Sequence, residues 1–266
     1  MQQEFDLHIH TSTINRHLTG NLLTVKKLRV TPSSANSEDN KQKRATYVRN
    51  IMELVGRQYH IYYQDETNIN LFCRRTQGRA LRGQPCQKKA PNSRGPNIHC
   101  WGLMNKEGIV FKKICRGSIK SERNAEFMSQ ALDTIIETHR NIQKVVIVID
   151  NAPSHSKVKE TVAQQPRFTG VTILRLAPYS APLNPIEYLW SAVKSECKQS
   201  IANEMARILN PPSGEAHTSY RLRILPDIFE HALNSKDDRR SCEGYVNHVQ
   251  QFYADVLALH DLPFNT

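Results

Sequence analysis

The stretch Lys144-Val-Val-Ile-Val-Ile-Asp150-Asn-Ala-Pro decides the fold. From Val145 to Ile149 every residue is β-branched, and no polar residue alternates with them. Such a run is stiff at χ1, prefers an extended backbone and has no solvent face. It predicts a strand covered on both sides. It is also the longest clean apolar run in the chain, far too short to span a bilayer. The neighbouring segments agree. Ser121 to Arg140 places apolar residues at 125, 128, 132, 135 and 136, a helical period. Before it, Gln58–Asp65, Asn97–Met104 and Gly108–Cys115 read as strands, the last two joined in a hairpin by Asn105-Lys-Glu-Gly108. After the central run, Val171–Leu176 reads as a strand, Asn184 to about Ser200 as a helix, and Glu243 to about Leu257 as another helix. A meander followed by alternating helices and strands predicts an α/β fold. Its mixed sheet has an antiparallel side and a parallel side, with helices on its flanks.

The 266 residues are globular in composition, with 36 Lys+Arg against 25 Asp+Glu and a formal net charge of +11. An excess of that size points to a polyanionic partner. The amino terminus lacks a basic region followed by an apolar core, so the chain is expected to be intracellular, neither secreted nor membrane-bound. The cysteines at 73, 86, 100, 115, 197 and 242 form no paired motif and read as reduced thiols. Residues 1–54 differ from the rest. Ser12–Leu18 reads as a short amphipathic helix, Asn21–Val30 as a short extended piece, Thr31–Lys41 as a polar linker, and Lys41–Leu54 as a basic helix.

Three acids occupy informative places. Asp65 closes the first strand, Asp150 closes the buried strand, and Glu187 falls in the first turn of the helix that begins at Asn184. Groups at the carboxyl ends of strands line the functional crevice of an open α/β sheet. Carboxylates gathered there suit hard divalent cations, and a pair of such ions suits in-line phosphoryl displacement. Each acid also has a purely structural reading. Asp65-Glu-Thr-Asn and Asp150-Asn-Ala-Pro both fit turns. Asn184, Pro185 and Glu187 fit an N-cap, first-turn proline and capping-box carboxylate. Spacing alone leaves these alternatives open.

The local sequences say more. Tyr63-Gln-Asp-Glu-Thr-Asn68, Val148-Ile-Asp-Asn-Ala-Pro-Ser-His155 and Leu176-Ala-Pro-Tyr-Ser-Ala-Pro-Leu-Asn-Pro-Ile-Glu-Tyr-Leu-Trp190 together resemble the catalytic domain of Tc1/mariner-type DDE transposases. The likeness runs from about residue 55 to 200 and takes in Arg74-Arg-Thr-Gln-Gly-Arg-Ala80, Trp101-Gly102 and the turn at Gly108. The resemblance implies an RNase H-like fold and an acidic triad of Asp65, Asp150 and Glu187. That triad would bind two Mg²⁺ or Mn²⁺ ions. The implied activity is cleavage of transposon-end DNA and transfer of the freed 3′ end to TA-containing target DNA. It further implies double-stranded DNA and a second copy of the chain as partners, and a nuclear site of action in a eukaryotic host. Asn151 and His155 would stand beside the acids. Trp190, three residues after Glu187, reads as core.

Between Arg74 and Arg94 lie Arg74, Arg75, Arg79, Arg82, Lys88, Lys89 and Arg94, with no acid among them and Gly and Pro breaking any regular element. This acid-free loop is read as a phosphate-contacting surface, its bland alternative being a solvated loop. Lys194 and Lys198, on the Glu187 helix, could serve the same surface or merely a solvated face. The division expected is residues 1–54 as a partial helix-turn-helix remnant with linker, 55–202 as the catalytic domain with its insertion at 74–96, and 203–266 as a helical extension. By resemblance, Ser12–Leu18 is the recognition helix of a second helix-turn-helix unit, with Arg16 as its DNA contact. There is no room for a first unit. That leaves two expectations: a metal-dependent nuclease and strand transferase, or a truncated or domesticated derivative that binds DNA or dimerises without catalysis.

Overall fold

The computed structural model describes residues 10–20, 32–75, 78–81, 83–87, 89–138, 142–212 and 214–263. The chain divides into two compact units, Met1–Ser33 and Ser34–Thr266. In the first unit, α1 (Thr11–Gly20) forms where the amphipathic helix is expected, and it carries Arg16 exposed. The expected extended piece Asn21–Val30 lies outside the described residues.

The second unit is built on five strands: β1 (His60–Ile69), β2 (Ile98–Met104), β3 (Ile109–Arg116), β4 (Val145–Ile149) and β5 (Thr172–Arg175). They lie in the order β3-β2-β1-β4-β5. The β1–β2 and β2–β3 pairs are antiparallel, while β1–β4 and β4–β5 are parallel. This is the mixed sheet that the element order predicts. All five β4 residues are buried, as a run without polar alternation requires.

Alternation along the strands feeds two cores. On one face, Tyr62, Trp101, Leu103, Val145, Ile147 and Ile149 pack with α3 (Ser121–Thr138) and α4 (Val158–Ala163). On the other, Tyr63, Ile98, Cys100, Met104 and Val148 pack with α2 (Glu38–Gly56) and α5 (Pro185–Asn203). That second core also takes in α6 (Met205–Leu209), α7 (His217–Lys236), α8 (Arg239–Gln250) and α9 (Tyr253–Leu257).

Several local expectations are corrected. Residues 32–37 do not form a free linker. Ala35 is fully buried, and the buried Arg44 guanidinium donates to Ala35 O at 2.7 Å and to Asn36 Oδ1 at 2.8 Å. A buried guanidinium needs acceptors, and this turn supplies them. The single helix expected from Glu243 to Leu257 is broken between α8 and α9, where Phe252 turns into the core. Strand β1 does not stop at Asp65 but continues to Ile69, because its far half pairs with β2. The 20-residue α7 lies in the stretch 203–266 expected as a helical extension, where no individual helix is marked before Glu243, although Tyr220, Leu225, Phe229 and Ala232 supply a helical period for its buried stripe. Among the described residues all six cysteines are free thiols, and no helix is long and apolar enough to cross a membrane.

Candidate active site

The parallel β1–β4 pairing ends at Tyr63↔Val148. Carried two residues further, the same register sets Asp65 beside Asp150. Asp65 therefore stands at the carboxyl end of the parallel pairing even though its own strand continues. Alternation puts it on the Tyr63 face of the sheet, the face covered by α5. There Trp190 Nε1 donates to Asp65 Oδ2 at 3.1 Å. Trp190 is the core residue the sequence reading expects, only 2% exposed. Its bond to the first acid is what that reading missed, and the three-residue step from Glu187 on one helix was the available signal.

Helix α5 starts as expected, with Asn184 at the N-cap and Pro185 in the first turn. The capping box is not formed. Asn184 makes no side-chain cap bond, and its buried Oδ1 has no hydrogen-bond partner. The Asn184 N–H that a capping-box Glu187 would accept is already taken, donating at 3.0 Å to Ala181 O of the tight turn Ala181–Leu183. Glu187 keeps a dipole-favoured place in the first turn without the competing role of a capping carboxylate.

The three carboxylates share one electrostatic environment. Burial pushes Asp65 well above the usual carboxylate range, and the negative charges of Glu187, Glu66 and Asp150 push it further. Glu187 reaches solvent, yet loss of hydration raises it too; Lys194 opposes this and Asp150 adds to it. Asp150 behaves differently. Burial would raise it, but hydrogen bonds from His155 and from Ala152 N, with the charges of His155 and Arg175, hold it below the usual range.

His155, fully buried, lies 2.7 Å from Asp150 Oδ1 through Nδ1 and 3.0 Å from Glu66 Oε1 through Nε2. Burial works against its charge, but these two carboxylates raise its pKa to about 10. Asn151 Nδ2 donates to Leu176 O, tying the exit of β4 to the exit of β5. Arg175, absent from the sequence reading, donates to Asp150 O at 3.3 Å and to His155 O at 3.1 Å, bracing the 150–155 turn from outside.

Among the described residues no three His, Cys, Asp or Glu side chains stand together as a ready-made metal cage. The donor set nevertheless fits a hard divalent cation. It consists of oxygen ligands whose mutual repulsion a cation would relieve.

The basic loop leaves the sheet between β1 and β2. Its base is closed by Leu71 N to Arg94 O at 3.0 Å and by Asn70 Nδ2 to Asn97 Oδ1 at 2.8 Å. Arg74, Arg75, Arg79, Lys89 and Arg94 are exposed, while Arg82 and Lys88 lie outside the described residues. Arg75 donates to Gln199 Oε1 at 2.6 Å, and Arg74 lies 4.8 Å from the Phe72 ring centroid. The loop thus leans on α5, the helix that carries Glu187.

Gly102 pairs with Asp65 across β1 and β2, and it has no room for a side chain. A Cβ there would lie 2.5 Å from the Trp190 ring. Trp190 is walled in by core and cannot swing away. Gly102→Ala should therefore cost about 1–3 kcal/mol and lower the unfolding temperature by several degrees, read by calorimetry. An unfolding temperature equal to wild type would mean that the Trp190 ring is free to yield.

A mixed sheet with acids at the carboxyl ends of its parallel strands, a third acid on the covering helix and a basic loop alongside defines an RNase H-like nuclease architecture. The chain belongs to the DDE superfamily endonuclease family, whose match covers residues 60–207. No curated protein sequence matches it closely enough to count as a relative. Its fold is similar to that of the Mos1 transposase paired-end complex with left transposon end (TM-score 0.66, 16% identity, 97% of this chain and 75% of that one). It is similar also to the Mos1 strand transfer complex (TM-score 0.65, 16% identity, 97% and 75%). The catalytic domain of Mos1 mariner transposase alone gives a TM-score of 0.54 at 15% identity, over 88% of this chain and 96% of that one.

Proposed function

We propose that this chain is a transposase of the Tc1/mariner type that cleaves DNA at transposon ends and joins the freed 3′ ends to TA-containing target DNA. The observation that carries this reading is the placement of Asp65 and Asp150 at the carboxyl end of the central parallel β1–β4 pairing, with Glu187 in the first turn of the helix that covers them, in a chain of the DDE endonuclease family. Solved structures of Mos1 transposase with Mg and with Mn support a divalent-metal requirement. Asp65, Asp150 and Glu187 would hold two Mg²⁺ or Mn²⁺ ions. Bound there, such ions would supply Lewis-acid activation of the attacking oxygen and stabilisation of the leaving one.

The protein's own residues do the rest. Trp190 orients Asp65, and His155 with Ala152 N orients Asp150. The dipole of α5 favours the ionised form of Glu187. Arg74, Arg75, Arg79 and Lys89, with Arg82, Lys88 and Arg94, supply the cationic surface that holds the phosphate backbone. Arg16 on α1 would contact the end sequence. Pairing two ends calls for a homodimer, and in a eukaryotic host the working compartment is the nucleus.

The test is nicking of supercoiled plasmid with Mg²⁺ or Mn²⁺, wild type against Asp150→Asn. Wild type should nick only with metal, and the variant should fall by at least about 100-fold while still binding DNA. Equal inactivity of the two, both bound to DNA, would favour the non-catalytic derivative instead.

A further inference from the structure

Strand β1 carries two neighbouring acids, and alternation sends them to opposite faces. Asp65 meets Trp190 under α5. Glu66 turns to the α3 face, where its side chain is 18% exposed. There its Oε1 accepts from three side chains: Gln64 Nε2 at 3.1 Å, His155 Nε2 at 3.0 Å, and Asn124 Nδ2. Asn124 Oδ1 in turn accepts from Trp101 Nε1 at 2.8 Å. Trp101 and Asn124 are fully buried, so Glu66 is fixed to the rigid core of the sheet.

His155 spans the remaining gap. It is held at Nε2 by Glu66, and its Nδ1 reaches Asp150 Oδ1 at 2.7 Å. Ala152 N donates to the same oxygen at 2.8 Å. A continuous chain of polar contacts therefore runs from Trp101 through Asn124, Glu66 and His155 to Asp150, where His155 Nδ1 lies 2.7 Å from Oδ1 and 3.4 Å from the main-chain O, while Oδ2 takes neither His155 nor Ala152 N.

Burying a carboxylate and an imidazole costs desolvation that apolar packing in the same turn would not incur. A chain that spends this cost and ends on one oxygen of a strand-end acid is suited to orienting that acid. Ligands of a metal are commonly fixed in this way by the groups behind them.

We propose that Glu66 is a positioning residue for Asp150: it holds the His155 ring in place, and His155 fixes Oδ1 so that Asp150 presents Oδ2 to a divalent cation. The proposal rests on the reading of Asp150 as a metal-binding acid.

The experiment measures Mn²⁺ binding to the full chain by isothermal titration calorimetry, with circular dichroism to establish folding. Glu66→Ala should weaken Mn²⁺ binding by about 10–100-fold. Glu66→Gln keeps an acceptor oxygen for His155 and should restore most of that loss. His155→Asn, too short to span the gap, should resemble Glu66→Ala. The double variant should be no weaker than the worse single one, because both break the same chain.

A folded Glu66→Ala that binds Mn²⁺ like wild type overturns the proposal, as does a double variant whose losses multiply. If Glu66→Ala does not fold, unchanged binding by His155→Asn overturns it instead. Wild-type binding that depends on Asp150 but not on Glu66 or His155 defeats the positioning role alone. Wild type that binds no Mn²⁺, or Asp150→Asn with undiminished binding, defeats the metal-site reading and this proposal with it.

Discussion

Asp65→Asn should do two opposite things: abolish metal-dependent nicking and make the metal-free protein more stable. Asparagine has nearly the same shape and keeps an oxygen to accept the Trp190 indole N–H. What it removes is a negative charge that burial, Glu187, Glu66 and Asp150 all oppose. Asp65 holds its proton more tightly in the folded chain than in the unfolded one. Below the unfolded value, about 4, both states are protonated and the group costs nothing. As pH climbs from there through the raised folded value, stability falls, and above that value the full penalty remains. The gain from Asp65→Asn should therefore vanish below about pH 4 and reach about 1 kcal/mol, or 2–4 °C, near neutrality.

Mn²⁺ should reverse the order. At about 100 times its dissociation constant it stabilises wild type by about 2.7 kcal/mol, and the variant, lacking a ligand, by less. Calorimetry at acidic and neutral pH, with and without Mn²⁺, reads the four conditions for each protein. An asparagine variant less stable than wild type at neutral pH without metal would show that the carboxylate is held by favourable contacts rather than against repulsion.

The same acids mark where the sequence was legible and where it was not. The β-branched run at 145–149 named its strand because a strand covered on both faces leaves a local signature. The three short motifs placed Asp65, Asp150 and Glu187 because each rides on a strand or helix with local periodicity. What joins them is not local. Trp190 carries the period of a core residue; its three-residue step from Glu187 puts it near the site but does not tell that its N–H ends on Asp65, 125 residues away in sequence. Glu66 reads as one more residue of a polar tetrapeptide until alternation and the β1–β4 register send it toward His155, 89 residues on. Arg175 likewise closes its strand without announcing that it braces the 150–155 turn. The capping box at Asn184 and Glu187 failed for the converse reason: the local pattern was present, but the tight turn before the helix takes the Asn184 N–H that Glu187 would have accepted. α7 falls in the expected helical extension but has no marked bounds there, because Pro226 interrupts a helical period that is otherwise plain.

Replacing Arg74, Arg75 and Arg79 together should weaken DNA binding far more at low salt than at high salt. The three sit in a loop without acids, and all are exposed. Two of them are already braced: Arg75 by Gln199 on α5, and Arg74 by the Phe72 ring. Braced side chains lose less conformational freedom when they engage a phosphate, so more of each contact survives as affinity. Each phosphate contact contributes about 0.9 to the slope of log affinity against log salt, so losing three should flatten that slope by up to about 2.7. A solvated loop that merely contributes to net charge would change affinity modestly and leave the slope near its original value. Filter binding or fluorescence anisotropy across a salt series on short duplex DNA distinguishes the two, and the duplex sequence is immaterial because these contacts would go to the backbone. An unchanged slope, with the variant folded, would remove the loop from the DNA-holding surface and leave the +11 excess to be assigned elsewhere. A flattened slope together with retained nicking of DNA at high protein concentration would separate holding from cutting: the loop supplies affinity, and the acids at the strand ends supply the chemistry.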